Sequence, residues 1–159
     1  MNVSKTKMQL EHRIVSAKPL FIAGIEKRYK FANLGEIPEQ WNKFSPHFGK
    51  VRGQVGNVAY GVASELEGGI RYLTGVEVTD PSALPDDFAG ARLPASRYAV
   101  FPHRETVSTL SNTIDAIWKK WLPESGYEAT LLPLFFERYG EGFDPKTGQG
   151  DIEIWVPIR

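Results

Sequence analysis

Trp41, Pro46 and Gly49 recur as Trp118, Pro123 and Gly126, and each pair stands 77 residues apart (118−41, 123−46, 126−49). One spacing kept by three residues of different chemistry describes an internal duplication, so the 159-residue chain reads as two copies of one unit. A unit of 77 residues is too short to expect two independent domains. The expected organisation is a single domain, residues 1–159, with repeat halves at about 8–80 and 91–158. The same offset carries Tyr60 onto Glu137. A carboxylate therefore enters the run Leu134-Phe135-Phe136-Glu137-Arg138-Tyr139, where the first copy has Val58-Ala59-Tyr60-Gly61-Val62. A lone acid among rings needs a cation, a proton or water to offset its burial.

Each half repeats one order of signals. Pro19 to Ile25 reads as a buried strand, and the Gly/Pro-marked turn at Gly35 to Pro38 opens a helix whose apolar face is Ile37, Trp41, Phe44 and Phe48. Strands at about Asn57 to Ser64 and Arg71 to Thr79 follow, joined at Glu67-Gly68-Gly69. The second half gives a strand at Arg97 to Phe101 and a helix from about Ser111 to Leu122, with Pro123 as its stop. Its closing hairpin joins Leu132 to Tyr139 with Asp151 to Ile158 across a glycine-rich loop, and Pro81 to Gly90 is the linker between halves. The fold class expected is α+β: two β-α-β-β units in tandem forming a curved antiparallel sheet, with helices on one face and a ligand groove on the other.

Composition removes several functions. With 19 basic and 19 acidic residues the net charge is zero, which argues against direct nucleic-acid binding. No cysteine is present, so thiol chemistry and thiolate metal sites are excluded. His12, His47 and His103 lack ligand spacing and read as surface or capping residues, so neither a metal nor another cofactor is expected. The polar stretch Met1 to Glu11 has no signal-peptide core, and no apolar run approaches a membrane span, which makes the cytoplasm the expected compartment.

Strand alternation puts Phe135, Glu137 and Tyr139 on one face and Leu134, Phe136 and Arg138 on the other. By the offset, Val58, Tyr60 and Val62 join the Glu137 set. Periodicity leaves open which set faces the groove. The charge argument prefers Glu137 on the groove, away from the helices, because Leu134 and Phe136 can pack on a helix whereas a carboxylate there needs a partner. Tyr60 and Tyr139 are then the groove walls, each offering a ring and a hydroxyl. Phe135 and Trp155 are further candidates, with Tyr72 a weaker one. Trp41, Trp118 and Trp121 fit helical core positions and stay outside the site.

These residues resemble a known family. The order of elements, the paired helix tryptophans, the segment Phe136-Glu137-Arg138-Tyr139 and the ending Asp151-Ile152-Glu153-Ile154-Trp155-Val156-Pro157-Ile158 are similar to the GyrI-like small-molecule-binding domain, the effector-binding module of AraC-type and MerR-type multidrug regulators. The resemblance runs from about Met8 to Ile158. It implies an open groove for lipophilic, cationic aromatic compounds with the residue matching Glu137 at its base. The helix-turn-helix module of those regulators has no counterpart in this chain, so transcriptional control by the chain alone is not expected.

The resulting expectation is a non-catalytic binding module for lipophilic cations, acting as a stand-alone sensor or sequestering protein, with a homodimer or a regulatory protein partner left open. The alternative is a hydrolase of strained, cyclopropane-bearing toxins, known among GyrI-like proteins, with Glu137 as its acid or base. A third reading is a protein-interaction module like the family's gyrase inhibitor.

Overall fold

The computed structural model describes residues 10–159. The opening segment up to Gln9 lies outside the described residues, and with it the start of the first half at Met8. Eight strands form one antiparallel sheet: β1 (Arg13–Ala17), β2 (Leu20–Lys30), β3 (Gln54–Leu66), β4 (Gly69–Val78), β5 (Ala89–Leu93), β6 (Ser96–His103), β7 (Phe135–Tyr139) and β8 (Ile152–Ile158). Their order across the sheet is β1-β6-β8-β7-β3-β4-β2-β5. Helix α1 (Ile37–Phe44) lies between β2 and β3, and the second helical segment, α2 (Leu110–Ala116) continued by α3 (Leu122–Ser125), lies between β6 and β7. The α+β class and the curled antiparallel sheet are as expected.

Chain connectivity forces the curl. β1 and β2 stand near opposite edges of the sheet, yet only Lys18 and Pro19 join them; Pro94 and Ala95 likewise join β5 to β6. Two residues span about 7 Å, so the edges must approach one another. The leading strand of each half thereby pairs with the other half, β1 with β6 and β5 with β2. Neither strand was apparent as an element in the sequence, and β5 occupies the end of the expected linker.

Three of the four strands in each half repeat at 76 residues, not 77, while β4 recurs as β8 at 80 (Ile22↔Glu77 becomes Tyr98↔Pro157). Arg13↔Val100 and Ala17↔Ser96 reappear as Ala89↔Gly24 and Leu93↔Leu20 (13+76, 17+76 and 100−76, 96−76). Across the central pair, Ala59↔Tyr139, Gly61↔Glu137 and Ala63↔Phe135 obey the same shift, and Gly61 maps onto its own partner (137−61=76). The pseudo-twofold axis therefore passes between Gly61 and Glu137. The helices keep the 77-residue spacing, which places one extra residue ahead of the second helix.

Each sheet face has its own core. Ala99, Phe101, Ile117, Tyr139, Ile152, Ile154 and Val156 cluster beneath the helices, with Trp41 and Trp118 packed on them. Ile22, Tyr60, Val62, Tyr98, Val100 and Phe136 fill the opposite face, where Phe136 stacks on Trp155 at 5.2 Å. The second helix does not stop at Pro123: it widens into a π turn at Ile117–Trp121 and ends after Ser125, where Gly126 takes φ 80°. A proline cannot donate the helical hydrogen bond, and a widened turn just upstream accommodates that loss, so the glycine becomes the terminator.

Candidate functional site

β3 and β7 run side by side between the two helices. On the helix-bearing face β3 offers only Ala59, Gly61 and Ala63, while β7 offers Phe135, Glu137 and Tyr139. Gly61 lies directly beside Glu137, and a Cβ there would collide with the Tyr72 hydroxyl and stand 2.8 Å from Glu137 Oε1. The carboxylate thus folds over the one central position without a side chain.

Glu137 is 6% exposed. Its Oε1 accepts the Tyr72 hydroxyl at 2.6 Å and the Tyr139 hydroxyl at 2.7 Å. Trp41 Nε1–H, from α1, donates to the Tyr72 oxygen at 3.2 Å, so a chain of donors ends on the carboxylate. The Trp41 ring also stands edge-on to Tyr139 at 5.2 Å and to Tyr72 at 6.4 Å. Phe143, in the loop after β7, meets the Tyr139 ring at 4.9 Å. No lysine, arginine or histidine forms an ion pair with Glu137 among the described residues.

Burial without a cation pushes the Glu137 carboxyl above its ordinary value near 4.5, and the two tyrosine hydroxyls only partly oppose that rise. Burial and the adjacent carboxylate push both Tyr72 and Tyr139 well above the usual phenol value. The sign for stability follows. The folded chain prefers protonated Glu137, a contribution present below about 4.5 and lost as pH rises through the raised value.

Gln40 positions this apparatus. Buried under α1, its amide nitrogen donates to Ile25 O at 2.8 Å and Tyr72 O at 2.9 Å, and its carbonyl accepts the Tyr29 hydroxyl at 2.6 Å. These bonds tie α1 to β2 and β4 and set Trp41, the next residue, over the carboxylate.

The structure brings Glu137, Tyr139, Tyr72 and Phe135 together, and separates Tyr60 and Trp155 from them. Tyr60 pairs with Arg138, on the face opposite Glu137. It packs with Phe136 at 5.7 Å inside the curl. The offset of 77 assigned it the wrong face, since it is one residue off the β3–β7 correspondence of 76 and a slip of one residue reverses the faces of a strand. Trp155 also lies on that opposite face, stacked on Phe136, with its Nε1–H donating to Glu153 at 3.1 Å. Glu137 is on the helix-bearing face after all: the partner it needed there is the tyrosine pair. Trp41, expected in the core on helical spacing, does pack against the core, and it also reaches the Tyr72 hydroxyl that donates to Glu137. His103 is buried, bonded to Thr113 Oγ1 at 2.8 Å and Thr106 O at 2.7 Å. A separate cavity of about 560 Å³, lined by Glu11, Arg13, His103, Arg104 and Asp151 among others, lies at the far end of β6 and β8 and excludes Glu137.

Comparison with known proteins places the chain in a family. The chain is 28% identical over 149 residues to the transcriptional regulator BrlR of Pseudomonas aeruginosa, a match covering 92% of this chain and 54% of BrlR. It is 29% identical over 92 residues to a DNA gyrase inhibitor of Erwinia billingiae, covering 56% and 58% of the two chains. The chain thus spans a little over half the length of these relatives. Its fold is shared with SAV2435 solved bound to tetraphenylphosphonium, with a TM-score of 0.75 and 18% identity over 94% of each chain. Residues 10–159 match the description of the GyrI-like small molecule binding domain, and the chain belongs to that family.

Proposed function

We propose that the chain binds lipophilic, aromatic cations between its two helices, with Glu137 as the charge partner and Trp41, Tyr72, Tyr139 and Phe135 as the surrounding rings. One observation carries this reading: a carboxylate 6% exposed, on the central axis of the molecule, with two hydroxyl donors and no ion-pair partner among the described residues. A weakly hydrated cation supplies the missing charge without a large desolvation cost. Its apolar body gains about 25 cal/mol per Å² buried, and each ring face adds roughly 0.5–2 kcal/mol. That SAV2435, of the same fold, is known with a phosphonium cation supports the choice of ligand class. Trp41 stands against Tyr72 and Tyr139, so a cation bound at Glu137 is expected to change its fluorescence.

The test compares a lipophilic cation and a neutral compound of the same shape on the wild-type chain and on Glu137→Gln. The cation is expected to lose on the order of tenfold or more in affinity in the variant, the neutral compound little. Equal losses would remove Glu137 from charge recognition. The raised pKa also fits a second reading, in which Glu137 serves as general acid or base toward a strained electrophile. Under that reading Glu137→Gln binds such a substrate and leaves it intact, whereas the wild type consumes it.

A further inference from the structure

Both hydrogen bonds received by Glu137 end on the same oxygen. Tyr72 and Tyr139 converge on Oε1, which saturates its two lone pairs. Among the described residues no donor reaches Oε2, and no fully buried side-chain oxygen or nitrogen is left without a partner. Oε2 is therefore the carboxylate oxygen left to receive a donor from an arriving ligand.

Building on the cation reading, we infer that the site selects cations that present an N–H donor on a delocalised charge: amidinium, guanidinium or protonated amino-heteroaromatic groups. A ligand seated over Glu137 shuts Oε2 off from solvent. A donor-free cation, such as a phosphonium or a quaternary ammonium, leaves that oxygen charged and without a hydrogen bond, a penalty that Coulomb attraction only partly offsets. An N–H supplies that oxygen with a short charge-assisted bond. An alkylammonium also offers N–H groups but is strongly hydrated, whereas amidinium and guanidinium planes shed water readily and stack on rings. Since Oε1 is occupied, one N–H is engaged and the rest of the plane lies against Trp41 and Tyr139.

Biphenylcarboxamidine, its fully N-methylated amidinium and the neutral biphenylcarboxamide form the test set, titrated calorimetrically into the wild-type chain and into Glu137→Gln. The parent amidine is expected to bind at least about tenfold more tightly than the methylated cation, with that ratio collapsing in the variant. A methylated cation that binds as well as the parent, with both exceeding the amide and both depending on Glu137, overturns the donor requirement and leaves cation recognition standing. Amidines that bind no better than the amide overturn both. Should Glu137→Gln fail to melt cooperatively, Tyr139→Phe takes its place: it frees a lone pair on Oε1, so the parent amidine gains on the methylated form, and a ratio that stays level or falls overturns the inference.

Discussion

Glu137 and Gly61 are one position seen twice, paired across the axis that relates the halves. One copy supplies the acid, the other supplies the space above which it lies. Gly61→Ala is therefore expected to cost about 1–3 kcal/mol by crowding, measured by urea unfolding, and to weaken cation binding as the carboxylate is pushed aside. An alanine variant as stable and as competent as the parent would contradict that placement. The acid itself was legible in the sequence, because Glu137 is the single carboxylate inside Leu134 to Tyr139 and strand alternation turns the adjacent Arg138 to the other face. Its surroundings were legible in part. Tyr139 and Phe135 follow from strand alternation, whereas Tyr72 reaches Glu137 from β4 across β3, a contact that only tertiary pairing creates.

The elements carry the repeat at more than one spacing, 77 for the helices against 76 or 80 for the strands, and this explains which expectations survived. Hydrophobic periodicity located both helices and the paired strands because each buries a single face. It could not reveal β1 and β5, five-residue strands whose partners lie in the opposite half. Nor could a helix-derived offset sort strand faces: shifting by one residue turned Tyr60 from the inner core into an expected groove wall. Helix α1 also depends on one buried amide. Gln40→Leu leaves the Ile25 and Tyr72 carbonyls and the Tyr29 hydroxyl short of partners, and a loss of about 2–3 kcal/mol in denaturant unfolding is expected. Ligand affinity should fall with it, since Trp41 and Tyr72 lose their shared anchor. Unchanged stability would mean that these groups find other partners.

At the scale of the whole molecule, the exchange of leading strands makes the halves interdependent, and we propose that residues 10–159 form one cooperative unit. Separate fragments covering 10–88 and 89–159 are expected to lack cooperative unfolding alone and to regain it when mixed, followed by far-ultraviolet circular dichroism. A cooperative transition in either fragment alone would show that the exchanged strands are dispensable. The same architecture centres the site on the pseudo-twofold axis, where two strands of small and aromatic residues meet between two helices. No helix among the described residues is long and apolar enough to cross a membrane.

The most direct test of this account is the pH dependence of cation affinity. Burial raises the Glu137 carboxyl above its ordinary value, so at low pH a cation must expel a proton from it, and at higher pH the cation meets a ready carboxylate. The affinity of the wild type for a permanently charged lipophilic cation should tighten as pH rises from about 4.5 through the raised value and then level off, with proton release detected calorimetrically. In Glu137→Gln the profile should be flat. A flat wild-type profile, or one whose slope persists in the variant, would contradict the claim that this buried carboxylate receives the ligand's charge.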